Sequence, residues 1–281
     1  MEFGWPKCRS LGIMWVTLLL LVACSTAQPS PAATPAPPPH PSPTIAPSPT
    51  PAEEVAVWDY VALGESMNYE MIRLYAEMLE EDLGVEIVLH DRALPGDHSS
   101  RLLERLRTDK ALRQEIRDAE IITFQIPIAV VVGPFRTFEF EAPGACGGED
   151  NQDCLREAFG AYMADTDEII AEIVALRSPS EALIRAQDVY QIKVRETQES
   201  GTFGTINGYW REANARLSEV ATAHDIPVAP VYDAFMGEDG IEEPRDKGLM
   251  ATDGLHPSAE GAVLMAELFR ELGYEYASSE P

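Results

Sequence analysis

The sequence predicts an α/β fold, a three-layer sandwich in which helices cover both faces of a five-stranded parallel sheet. Strand-like and helix-like patterns alternate from about Trp58 onward, and such alternation signals βαβ units. The strand segments are short and nearly all apolar, as strands buried on both faces must be. The helical segments carry apolar residues at three- and four-residue spacing.

Taken in order, Val57 to Leu63 reads as the first strand and Met67 to Leu83 as the first helix, with Met71, Leu74, Tyr75, Met78 and Leu79 on one face. Gly84 ends that helix, since glycine accepts the left-handed conformation found past helix ends. Val85 to Leu89 is the second strand, Ser99 to Ala119 one or two helices, and Glu120 to Ile126 the third strand. Val131 to Asp153 reads as irregular, with Phe135, Phe138 and Phe140 clustered, either a lid over a crevice or an insert packed on the surface. Leu155 to Leu176 is a long helix, Ala182 to Ala186 a strand, Tyr209 to His224 a helix, Ile226 to Val231 the fifth strand and Ser258 to Leu272 the last helix. Ligands of such sheets bind outside the carboxyl ends of the strands. Chemistry is therefore expected in the loops that follow each strand.

The 281 residues divide into three parts, at 1–23, 24–54 and 55–281. Lys7 and Arg9 precede a 13-residue apolar run, Leu11 to Ala23, too short to span a bilayer comfortably. The run ends Leu21-Val22-Ala23-Cys24. It resembles the bacterial lipobox, which implies cleavage before Cys24, a lipid on that cysteine, and a membrane-anchored protein on the extracytoplasmic face. From Ser25 to about Ala52 the chain is Pro, Ala, Ser and Thr, with 11 of its 22 prolines. Such a tract cannot build a core and tends to extended polyproline II, reading as a stalk of roughly 85 Å at about 3.1 Å per residue. Cys146 and Cys154 flank Gly147-Gly148; in an exported chain they suit a disulfide, with free thiols the alternative. A metal pair is disfavoured, for no histidine is near and zinc wants four ligands. The formal net charge of -26 argues against nucleic acid, whose phosphates need clustered Lys and Arg.

Two short segments carry chemistry. Leu63-Gly64-Glu65-Ser66-Met67 places a serine where the first strand turns into a helix, whose N-terminal N–H groups face a developing oxyanion. Asp253-Gly254-Leu255-His256-Pro257-Ser258 precedes the last helix, and Asp and His three apart on a tight turn can hydrogen-bond to each other. Alone, the first reads equally as a helix cap and the second as a surface turn. Together they resemble the GDSL/SGNH hydrolase family over about Trp58 to Tyr274. The resemblance implies a flavodoxin-like three-layer fold with Ser66 as nucleophile, His256 as general base and acid, and Asp253 as orienting carboxylate. It implies no metal and no organic cofactor, and an ester-bearing small molecule, lipid or glycan as substrate. It also implies oxyanion donors at Ser66 and at Gly96 in Ala93-Leu94-Pro95-Gly96, where the plain reading is a Pro-Gly turn.

The chain departs from the family pattern in three places. Glu65 stands where the family has Asp, and Asp91 where it usually has Asn. After the third strand, Ala129 falls where the family has an Asn whose amide completes the oxyanion site, and losing one such donor typically costs about 10²–10³ in rate. Gln125 is a substitute if the loop bends inward, and otherwise part of the strand. His98, beside Gly96, is a possible substrate contact. Asn207, Tyr209 and Trp210 either line a pocket or belong to the core. Metalloprotease HExxH, Walker and EF-hand motifs are absent. Three functions fit these residues: an esterase, a catalytically weakened binding module, and an acyltransferase on cell-envelope glycans.

Overall fold

A computed structural model describes residues 55–277. The expected leader, Cys24 and the stalk lie outside the described residues. No helix among the described residues is long and apolar enough to cross a membrane.

Five parallel strands form one sheet: β1 (Val57–Leu63), β2 (Glu86–Asp91), β3 (Ile121–Gln125), β4 (Leu183–Gln187) and β5 (Val228–Ala229), in the order β2-β1-β3-β4-β5. The helices are α1 (Tyr69–Leu83), α2 (Ser99–Thr108), α3 (Lys110–Asp118), α4 (Ala129–Phe140), α5 (Asp153–Leu176), α6 (Val194–Ser200), α7 (Phe203–Ala223), α8 (Val231–Met236) and α9 (Ala259–Glu271). α1 packs against α9, while α5 packs against α2, α4 and α7. Because the chain moves from β1 one way to β2 and then the other way to β3, β4 and β5, right-handed crossovers put these two groups on opposite faces. The result is the three-layer sandwich expected.

The central strands β3 and β4 are buried along their whole length. The core continues into Met71, Tyr75 and Leu79 of α1, Phe159, Tyr162, Ile169 and Ile173 of α5, and Met265 and Phe269 of α9. Leu74 and Met78, expected on the apolar face of α1, are only partly buried at the edge of that helix, as are Leu264 and Leu268 of α9. Ser99–Asp118 is two helices because Asp109 breaks the run: its carboxylate accepts the Ala111 and Leu112 N–H groups and caps α3.

Three segments differ from expectation. Ala129–Phe140 is helical although it holds Gly133 and an interior Pro134. Burial of Val131 and Phe135 at helical spacing outweighs that poor propensity. β5 is only Val228–Ala229, because Pro227 and Pro230 flank it and neither has an N–H for the ladder. α7 begins at Phe203, ahead of the expected Tyr209, so Asn207 and Trp210 lie within it and inside the core. The Trp210 Nε1–H donates to the Tyr190 carbonyl at 2.9 Å, and the Asn207 amide donates to the Gly240 carbonyl at 2.9 Å.

Cys146 and Cys154 form a disulfide, eight residues apart, tying the turn after α4 to the first turn of α5. Closing a loop this short removes unfolded-chain entropy worth about 2–3 kcal/mol. Replacing both cysteines by serine is expected to lower the melting temperature by about 4–10 °C, measured by differential scanning calorimetry. An unchanged melting temperature would show that the bond does not constrain the unfolded chain.

Candidate active site

The strand order reverses at β1, whose neighbours β2 and β3 are reached in opposite directions, and this reversal opens a crevice at the carboxyl ends of β1 and β3. Ala62 pairs with Asp91, Leu63 with Phe124, and Gln125 with Gln187, so the loops after four strands start level with one another along one rim. Ser66 opens a single 3-10 turn, Ser66–Asn68, between β1 and α1.

His256 arrives from the other end of the chain. The Ser66 Oγ lies 3.1 Å from the His256 Nε2, and the His256 Nδ1 lies 2.7 Å from the Asp253 Oδ2. The other Asp253 oxygen accepts the Leu255 and His256 N–H groups at 2.9 and 3.0 Å, which closes the turn and fixes the carboxylate. Burial works to raise the Asp253 carboxyl, but the hydrogen bonds from the His256 ring and from those two N–H groups outweigh it and hold it below its ordinary value. With a carboxylate accepting at Nδ1, the neutral ring carries its proton there, leaving Nε2 free to take one from the serine.

The histidine turn is itself braced. The Tyr190 hydroxyl donates to the Leu255 carbonyl at 3.0 Å, and the Lys193 N–H to the Gly254 carbonyl at 2.8 Å. The Tyr190 ring is fully buried and stacked on Phe235, with centroids 4.5 Å apart. Ser258 caps α9 through the Gly261 N–H at 3.0 Å. Gly261 is required there: a Cβ would sit 2.1 Å from the Leu249 carbonyl oxygen, so any side chain would push α9 off the turn.

Gly96 faces the same cleft as Ser66 and His256. Its φ of +60° suits glycine, and its carbonyl accepts the Arg101 guanidinium at 3.0 Å. Asp97, fully buried, accepts from Arg101 at 2.5 Å and from Arg105 at 3.0 Å. This cluster fixes the loop and leaves the Gly96 N–H without a hydrogen bond among the described residues.

Two expected contacts are not made. Gln125 is fully buried, does not line the cleft, and lies behind Glu65 and below Gly64. Its register in β3 points it into the protein, so it cannot replace the missing Asn. His98 is exposed at the start of α2, its backbone bridged to Ile128, and it too is absent from the cleft wall. Ala129 does line the cleft, and its methyl offers no donor. Asp91 accepts the Ala93 N–H at 3.1 Å and shapes the turn after β2. Tyr209 lines a different hollow, between α5 and α7, where it stacks on Phe159. Among the described residues no three His, Cys, Asp or Glu side chains cluster as a metal site would require.

Sequence reasoning missed the role of Glu65. Only 5% exposed, it reaches the loop after β3 and accepts the Ile128 N–H at 2.8 Å. Its longer arm joins the Ser66 turn to the start of α4. Burial pushes its carboxyl up to about 7, opposed chiefly by the Ile128 hydrogen bond. Asp97, Arg101 and Arg105 were also missed, although their four-residue spacing across the start of α2 was a visible signal.

No family model matches the chain. It is 24% identical over 228 residues to the spore germination lipase LipC of Bacillus licheniformis, covering 76% of this chain and 96% of that one. The lipase Lip_vut3 from a goat rumen metagenome superposes with a TM-score of 0.63 at 21% identity, covering 77% of this chain and 98% of that one. The acetylxylan esterase Axe2 from Geobacillus stearothermophilus gives 0.55 at 15% identity, covering 80% and 99%. The lipase/acylhydrolase from Enterococcus faecalis gives 0.51 at 14% identity, covering 79% and 100%. These likenesses show the fold, an α/β sandwich around a five-stranded parallel sheet.

The raised Glu65 carboxyl has a consequence for stability. In the unfolded chain it ionises near 4.5 and in the folded chain near 7, so between those values folding must hold on to a proton. Its contribution therefore falls as pH rises from about 5 to about 7 and is level above. The Glu65→Gln variant keeps the Ile128 acceptor without that charge. Thermal unfolding at pH 5 and pH 8 is expected to show the variant gaining on the wild type at the higher pH, by at most about 3 kcal/mol. A gap independent of pH would mean that Glu65 ionises normally in its folded surroundings.

Proposed function

We propose that the domain is a serine esterase that cleaves an acyl or acetyl ester through Ser66, His256 and Asp253. The observation that carries this reading is the continuous chain of contacts, 3.1 Å from Ser66 to His256 and 2.7 Å from His256 to Asp253, in a cleft shared with Gly96. Relatives named as lipases and acetylxylan esterases share the fold and support the same class.

In this mechanism the Ser66 Oγ attacks the ester carbonyl carbon while its proton passes to the His256 Nε2. The Asp253 carboxylate stabilises the imidazolium so formed. The oxyanion is met by the Ser66 and Gly96 N–H groups. The tetrahedral intermediate collapses, the C–O bond breaks, and His256 protonates the departing alcohol. Water, deprotonated by the same imidazole, then attacks the acyl-serine and frees the acid. With Ala129 in place of a side-chain donor, turnover is expected to be slower by about 10²–10³ than with a complete oxyanion site.

Ala129 is also what favours the second reading, a weakened fold used for binding. A fluorophosphonate probe separates the two. Covalent labelling of the wild type at Ser66, lost in Ser66→Ala and at least about 10³-fold slower in His256→Ala, is the expected result. A folded wild type that takes no label would overturn the esterase reading. Acyl transfer to a glycan uses the same residues and differs only in the acceptor that displaces the acyl group.

We further propose that a lipid on Cys24 and the proline-rich stalk hold this domain at the extracytoplasmic face of the membrane. Cys24→Ala is expected to move the protein from the membrane fraction to the soluble fraction when expressed in a lipoprotein-processing bacterium. Retention in the membrane would refute the anchor.

A further inference from the structure

The cleft at Ser66 does not stop at the triad. Its volume is about 540 Å³, and a neighbouring hollow adds about 420 Å³. The two share Val132, Arg136 and Leu255, so they form one groove running along α4. Ala129, Val132, Arg136 and Phe140 recur at three- and four-residue intervals, which places them in line on one face of that helix. At about 1.5 Å per residue, Arg136 stands roughly 10 Å along the helix from Ala129 beside the triad. The wall between them is apolar.

Among the described residues Arg136 shares its lack of a partner with Arg73 and Arg211, but of these three it is the one that lines the groove. Most arginines of the domain are matched to carboxylates: Arg101 and Arg105 to Asp97, Arg216 to Asp167, Arg245 to Glu196 and Glu243, Arg270 to Asp82. Arg136 has no ion pair and no side-chain hydrogen bond among the described residues, in a chain with 47 acidic and 21 basic side chains. Lys193, on the same groove, has only Glu196 at 3.6 Å, and that carboxylate is already held by Arg245 at 2.6 Å. Where carboxylates outnumber cations twofold, two cations left this free on the wall of one apolar groove mark a place for an anion from outside.

We propose that Arg136, with Lys193 beside it, is a specificity determinant that pairs with a negatively charged group on the substrate, a carboxylate or a phosphate. The apolar chain of that substrate lies along α4, and its ester carbonyl sits at Ser66. This rests on the esterase reading and narrows it to amphiphilic, anionic esters. A neutral acetylated sugar would leave the guanidinium unmatched and lay hydroxyls on apolar side chains.

The test compares kcat/KM for p-nitrophenyl octanoate and for mono-p-nitrophenyl suberate, which adds a carboxylate at the far end of the same eight-carbon chain. The wild type is expected to favour the suberate ester, and Arg136→Gln to cut the anionic-to-neutral ratio about ten- to a hundred-fold, with Arg136→Lys between. The wild-type preference is expected to shrink as sodium chloride rises, and to do so less in Arg136→Gln. A second pair, 6-acetoxyhexyl phosphate against hexyl acetate, tells a phosphate at the end of an apolar alcohol from a carboxylate at the end of an apolar acyl chain. A ratio unchanged by Arg136→Gln in both pairs overturns the proposal. If neither ester is cleaved, the esterase reading fails by itself, and calorimetric binding of suberic acid monoamide then decides: tighter binding to the wild type than to Arg136→Gln supports the anion site, and equal or absent binding refutes it.

Discussion

A contact between Ser66 and His256, 190 residues apart in the chain, is the constraint on which the site depends. Neither element could impose it alone. Ser66 is placed by the end of β1, and β1 by pairing on both sides with β2 and β3. His256 is placed by a turn wedged against α9, and α9 by packing on α1, the helix that follows Ser66. The geometry is thus closed into a ring: sheet, α1, α9, histidine turn, serine. A neutral hydrogen bond contributes about 1 kcal/mol net, far too little to organise so long a loop. The bond is a consequence of the apolar contacts that dock α9, and it reports whether they are made.

What surrounds the triad is polar and buried, which is costly unless satisfied. Glu65, Asp97 and Tyr190 each spend a buried polar group on holding one of the three loops that meet at the cleft. Glu65 fixes the start of α4 through Ile128, Asp97 fixes the Gly96 loop through two arginines, and Tyr190 fixes the histidine turn through Leu255. None of the three is a substitute for the donor missing at Ala129. They determine how rigid the remaining donors are, and a rigid pair of N–H groups needs no reorganisation when charge develops.

The sheet and most helices were legible because burial writes itself into sequence at fixed periods. β3 is an apolar run because both its faces are covered, and α5 repeats every three to four residues because only one of its faces is. The serine and the Asp-x-x-His pair were legible because each sits at a point where the backbone changes element. Local signals failed where tertiary packing or side-chain reach decided the outcome. α4 looked irregular because Gly133 and Pro134 are poor helix formers, yet Val131 and Phe135 are drawn into the core. Gln125 looked available because nothing in a strand's composition tells which way its last side chain points. Glu65 looked like a defect because one added methylene has no meaning until the Ile128 N–H is seen at its far end. Trp210, by contrast, followed the ordinary expectation for a large aromatic side chain and is core.

The helical nature of α4 changes what the cleft can select. An irregular insert would have offered backbone carbonyls and N–H groups to a ligand, and so a polar wall. A helix satisfies those groups internally and presents side chains alone, here alanine, valine, arginine and phenylalanine in line. Net charge then matters less than local charge. At physiological salt the field of distant carboxylates decays over about 8 Å, so the overall -26 weakly opposes an anion already inside the groove. A guanidinium in contact with that anion is not screened in the same way, because little water lies between them. The acidic surface and the cationic groove are therefore compatible: the one acts at long range on approach, and the other, in the proposed reading, acts at contact on which ester is held beside Ser66.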